Sequence, residues 1–108
     1  MQNLTPYKRE QLPFKNAPFE YRAAHYKPPP NIKLDKIIEF AQDKSNKMRS
    51  DFGQTDGSFF VNVQFENGKW ISTKSSKPGE RIKGLQNYDG DELKDNVVNF
   101  RIVYTYKN

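Results

Sequence analysis

Hydrophobic and polar positions change period several times along this 108-residue chain, and each change marks an element. Residues 1–30 keep no helical period. Tyr7, Phe14, Phe19, Tyr21 and Tyr26 stand there among Pro6, Pro13, Pro18, Pro28, Pro29 and Pro30. Each proline removes a backbone donor and fixes φ, and it pushes the residue before it toward extended conformations. A long helix is excluded, and the segment reads as an extended, polyproline-like arm. Within it "FEYRAAHYK" alternates, with Phe19, Tyr21, Ala23 and His25 on one side, a pattern compatible with a short edge strand.

After "KPPP" the period becomes helical. Leu34, Ile37, Ile38, Ala41, Met48 and Phe52 recur at spacings of three, four and seven, which predicts an amphipathic helix over residues 32–50. Asn31 is the expected N-cap, because its side-chain oxygen can accept from an unpaired first-turn amide. Phe40 falls off the stripe, and is expected at the core's edge or against a partner. "DFGQTDG" then stops the helix, since Gly53 and Gly57 tolerate the positive φ of a C-cap and a turn.

Period two follows in "SFFVNVQFENGKWISTK", which predicts a hairpin over residues 58–74 with Asn67 and Gly68 at the centre of a type I′ turn. A two-residue loop pairs Phe65 with Trp70. It puts Phe59, Val61, Val63, Phe65 and Trp70 on the core face and Phe60, Asn62, Gln64 and Ile71 on the outer face. Residues 75–96 are polar and broken by Pro78, Gly79, Gly84 and Gly90, with a short helical turn expected at "DELKDN". Loops this long tend to be functional or mobile. "NVVNFRIVYTY" predicts a strand over 97–106, with Val98, Phe100, Ile102, Tyr104 and Tyr106 on one face and Val97, Asn99, Arg101, Val103 and Thr105 on the other.

The simplest packing of these elements is an α+β domain over residues 31–108, one amphipathic helix on a small three-stranded, mainly antiparallel sheet, preceded by the arm of residues 1–30. At 34% hydrophobic residues the core is modest. A fourth strand donated by the arm, to this copy or to a neighbour, would add to it.

The formal charge of +5 is unevenly spread. The arm and residues 58–88 each carry an excess of three positive charges, while residues 89–96 carry a net −3. Lys69, Lys74, Lys77, Arg81 and Lys83 therefore form a candidate anion-binding or nucleic-acid-binding set on the hairpin and its loop, with an acidic protein face as the other natural partner. Cations beside rings such as Trp70 and Phe60 also suit single-stranded nucleic acid, while excess lysine equally serves solubility.

Catalytic chemistry finds little support. No cysteine is present, and His25 is the sole histidine, which leaves no thiolate or multi-histidine metal site. Ser72, Ser75 and Ser76 lack a nucleophile elbow. Asp89, Asp91, Glu92 and Asp95 lack calcium-loop spacing and suit the start of a short helix. "KPGERIKG" lacks the G-K-[ST] of a phosphate loop. No enzyme, metal or cofactor is expected.

Early in the chain, no apolar run is long enough for a secretion signal or a membrane span, so a cytoplasmic, nuclear or virion-associated location is expected, and the "NLT" at Asn3 carries little weight. The leading expectation is a non-catalytic accessory subunit or inhibitor. It would dock on a larger viral or ribonucleoprotein-like assembly, or on a protein target, with Tyr7, Phe14, Phe19, Tyr21, Tyr26 and Phe40 as ring anchors. The alternative is a non-specific single-stranded nucleic-acid binder. Deleting residues 1–30 is expected to abolish partner binding while the helix and hairpin stay folded.

Overall fold

The computed structural model describes residues 3–16, 19–52, 57–86 and 95–107. Gly53, most of "DELKDN", and Asp89, Asp91 and Glu92 lie outside them, as do the side chains of Phe14, Phe52 and Tyr106. The elements are β1 (Lys8–Asn16), β2 (Phe19–Tyr26), α1 (Leu34–Phe52), β3 (Phe59–Phe65), β4 (Trp70–Thr73), β5 (Leu85–Gln86) and β6 (Val97–Lys107). They form one antiparallel sheet in the order β1-β2-β6-β3-β4-β5, with α1 packed on one face.

The class is α+β, but the sheet is larger than the three strands expected. It has five strands of four or more residues and the two-residue β5. The arm makes the difference. β1 pairs antiparallel with β2, and β2 pairs with β6 along its whole length, from Phe19 opposite Lys107 to Tyr26 opposite Phe100. Prolines do not prevent this, because Pro13 sits on edge strand β1 within the irregular stretch between Gln11 and Lys15, where a missing donor costs no inner ladder bond. Pro28, Pro29 and Pro30 follow β2 and end it.

Helix α1 starts three residues later than its expected cap. The Lys33 carbonyl accepts from Lys36 N at 3.2 Å and Ile37 N at 3.4 Å, so Lys33 holds the cap position. Asn31 instead adopts a left-handed φ of 62°, and its Oδ1 accepts from Asn96 Nδ2 at 3.4 Å. Leu34, Ile37, Phe40 and Ala41 face the sheet and are buried, with Ile38 and Met48 half-buried against the core. Phe40 lies inside rather than at the edge. Its ring meets Tyr26 and Phe100 in T-shaped contacts at 5.3 and 5.8 Å, while Tyr26 stacks on Phe100 at 4.9 Å.

The β3–β4 hairpin is one residue out of the expected register. Gln64 pairs with Trp70 and Val63 with Ile71. The loop holds three residues, Glu66 to Gly68: Gly68 N donates to Phe65 O at 2.8 Å and Phe65 N donates to Lys69 O at 3.0 Å. Gly68 takes the left-handed conformation alone, with φ 88°, and Asn67 does not. A type I′ turn needs both residues there, whereas a three-residue loop closes with one such residue in a bulge. Asn67 still contributes, because its Oδ1 accepts from Lys69 N at 2.9 Å. The slip exchanges faces: Ile71 enters the core, 1% exposed, and Trp70 turns outward, 42% exposed.

A second exchange occurs in β6. Phe65 pairs with Val97 and Gln64 with Asn99, so Val98 is the extra residue of a bulge. Val97 is buried and Val98 exposed, the reverse of the alternation expected. The core under α1 thus comprises Ala24, Tyr26, the helix stripe, Phe59, Val61, Val63, Phe65, Ile71, Ile82, Val97, Phe100 and Ile102. Each large side chain contributes on the order of 1.5–3 kcal/mol through burial before ordering entropy is subtracted.

The opposite face of the sheet carries a smaller apolar cluster, Leu12, Ala23 and Val103, flanked by Tyr21 and Phe60. Among the described residues no helix is layered over it.

Candidate interaction surfaces

The residues 75–84 segment is fastened to the helix. Ser45, fully buried in α1, accepts from Gly79 N at 2.9 Å. One turn earlier Gln42 works from both ends of its amide, with Oε1 accepting from Ile82 N at 2.7 Å and Nε2 donating to Glu80 O at 2.9 Å. A tight turn shapes the tip: Glu80 Oε1 accepts from Lys77 N at 2.7 Å, and Glu80 N donates to Lys77 O at 3.0 Å. Pro78 and Ile82 are buried beneath it. Gly79, at φ 86°, is the residue whose missing side chain lets Arg49 lie across the turn. Ser76 returns to the sheet in a bridge with Phe59. The first half of the expected polar loop is therefore a supported surface.

That support displays cations. Lys74, Lys77, Arg81 and Lys83 are all exposed, and none takes part in an ion pair among the described residues. Lys74 and Lys83 come together at the edge of the sheet: Lys74 N donates to Gly84 O at 3.2 Å, and its side chain runs past Gly84. Lys69 is half-buried beside the hairpin turn, apart from this group in the chain and with contacts of its own.

The arm's ring anchors scatter. Tyr26 is in the core, as is Phe40 of the helix, and both rings are buried. Phe19 and Tyr21 are half-buried on β2, while Tyr7 is 53% exposed. Tyr7 lies beside His25, ring centroids 6.1 Å apart, with Lys27 Nζ 5.7 Å from its ring centre. His25 Nε2 is 2.7 Å from Glu10 Oε1 across the β1–β2 pair. The Glu10 carboxyl is held below its ordinary value, first by that hydrogen bond and further by Lys8 and Arg101. Burial pushes the Tyr26 phenol above its ordinary value.

A groove of about 980 Å³ runs between the chain start and α1, lined by Leu4, Pro28, Pro29, Ile32, Lys36 and Phe40 among others. It is wide open, and Lys36 and Glu39 pair with each other on its wall at 3.6 Å. Among the described residues no three His, Asp or Glu side chains converge as metal ligands, and no helix is long and apolar enough to cross a membrane.

Sequence reasoning found the loop cations but missed what holds them. Gln42 and Ser45 read as ordinary polar helix positions, and only their spacing on the Ile37–Ala41 face hinted that they point toward protein. Comparison of the chain with protein-family models, with curated proteins and with solved structures gives no match. The fold and its surfaces define a class, a small α+β protein with one helix on an antiparallel sheet.

Proposed function

We propose that this protein is a non-catalytic interaction module, an accessory subunit or inhibitor that docks on an acidic face of a larger protein or assembly through the basic surface of residues 74–83. One observation carries the reading: four exposed cations without ion pairs stand on a loop that Gln42 and Ser45 pin to the helix. Charges kept for solubility alone need no fixed scaffold. A rigid array lowers the ordering cost of docking, and complementary charge speeds and orients encounter. The arm enters this reading as part of the sheet that supports the module, with Tyr7 as its exposed ring.

The test compares the native protein with a Lys77→Glu/Arg81→Glu/Lys83→Glu variant. Each is used to capture partners from lysate of the source cells with and without nuclease treatment, and the pair is then reconstituted from purified components. Direct binding to an acidic protein that weakens at least tenfold in the variant supports the reading. Binding that persists unchanged in the variant overturns it. Capture that disappears on nuclease treatment overturns it as well and gives the cations to nucleic acid.

A further inference from the structure

The sheet face that α1 does not cover carries an ordered row of polar side chains. His25 of β2 stands opposite Arg101 of β6, Arg101 opposite Asn62 of β3, and Asn62 opposite Ser72 of β4. Directly opposed residues share a face, so the four run across the sheet in one line. The row is linked by short hydrogen bonds. Arg101 Nε donates to Asn62 Oδ1 at 2.6 Å, and Asn62 Nδ2 donates to Ser72 Oγ at 2.6 Å.

This arrangement aims a guanidinium without neutralising it. The neutral amide of Asn62 takes one N–H of Arg101 and supplies no countercharge. Glu10, the carboxylate whose ionisation Arg101 influences, is engaged by His25 at 2.7 Å and Lys8 at 3.7 Å. Among the described residues Arg101 has no ion pair, and its terminal nitrogens make no hydrogen bond. Rings border the row on both sides. Trp70 lies in the next row, opposite Gln64, and Phe60 lies in the row beyond, opposite Val103.

We propose that this face, which carries no helix among the described residues, is a docking surface for an extended acidic segment of a protein partner, with Arg101 taking a carboxylate in its fork between Trp70 and Phe60. The inference rests on the reading of the chain as an interaction module but places a contact on a different face from the loop. Charge complementarity selects the occupant: the free group is a single planar cation, whose geometry matches a carboxylate bidentately. Tryptophan, tyrosine and arginine together are the composition of binding hot spots. A nucleic-acid track would need several free cations in succession, one for each phosphate neutralised; Lys8, opposite His25 in the same row, is engaged by Glu10 at 3.7 Å, which leaves Arg101 as the row's cation without an ion pair among the described residues.

Trp70 is the only tryptophan in the chain, so its fluorescence reports this face alone. The full-length protein is titrated with a decapeptide of alternating glutamate and valine, and separately with a ten-nucleotide oligothymidylate. Saturable change with the peptide is expected, weakened about ten- to a hundredfold in Arg101→Gln, since a hydrogen-bonded charge is lost, and less in Arg101→Lys, which keeps the charge without the fork. A Lys77→Glu/Arg81→Glu variant is expected to keep the response, which separates this face from the loop. The proposal is overturned by no response to the peptide, by an unchanged response in a folded Arg101→Gln or Arg101→Lys protein, or by a stronger, salt-sensitive response to the oligonucleotide.

Discussion

Tyr26 lies flat on Phe100, ring planes 9° apart and centroids 4.9 Å apart, although one belongs to the proline-rich start of the chain and the other to its last strand. Phe40 of the helix closes on both rings edge-on. The arm is therefore bound into the core at the point where helix and sheet meet.

Removing residues 1–30 is accordingly expected to unfold the helix and hairpin, not to leave them intact. Truncation takes away Ala24 and Tyr26 from the core and the whole β2 partner of β6. A domain of this size has about 5–15 kcal/mol of stability in total. Circular dichroism of the truncated chain should lose its cooperative thermal transition.

Tyr26→Ala alone should cost about 3–5 kcal/mol, as for other buried aromatic truncations, read as a lower denaturant midpoint. Tyr26→Phe keeps the stack and changes the pH response. Because burial raises the folded phenol above its ordinary 10.0, the folded state holds that proton more tightly. The stability it contributes is full below about pH 10 and is lost as pH rises through the folded value. Alkaline unfolding should begin at higher pH in Tyr26→Phe.

Glu10 shows the opposite sign. Its folded carboxyl is held below 4.5, chiefly by His25, so the stability it contributes is present above that value and is lost as pH falls through the folded one. The melting-temperature difference between the native protein and Glu10→Gln should shrink as the pH falls from about 4.5 toward 3.

Ser45→Ala should free the basic loop while barely changing the helix. It removes the acceptor for the half-buried Gly79 N, and leaving such a donor unmet costs at most about 1–3 kcal/mol. Amide exchange at Gly79 and Ile82 should accelerate at least tenfold, with exchange in Ile37–Ala41 little altered. Uniform acceleration through helix and loop would mean that the loop is not a separate unit.

Two glycines should respond unequally to alanine. Both have positive φ, but an added Cβ meets nothing within 4 Å at Gly68, whereas at Gly57 it collides with Thr105 Oγ1. Thr105 Oγ1 also accepts from Ser58 N at 2.7 Å and starts β3. Gly68→Ala should cost roughly 1–2 kcal/mol from backbone conformation alone, and Gly57→Ala clearly more. Chemical denaturation of both variants gives the comparison.

Periodicity alone determined the helix, the two central strands of the hairpin and the final strand, because apolar spacing of 3.6 and 2 residues is a local property of the chain. It also located the loop cations, since charge is legible residue by residue. Tertiary structure decided the rest. Whether Asn67 joins Gly68 in the left-handed region is a small local difference, yet it shifts the ladder by one residue and exchanges Trp70 with Ile71. The arm's prolines and rings are equally compatible with an extended tether and with strands, and the unpaired edge of β6 settled it by offering a ladder along the whole of β2. Gln42 and Ser45 acquired their role when the loop packed onto the helix. His25, Arg101, Asn62 and Ser72, far apart in the chain, fall into one row only through the pairing of four strands, a long-range register that no local pattern encodes.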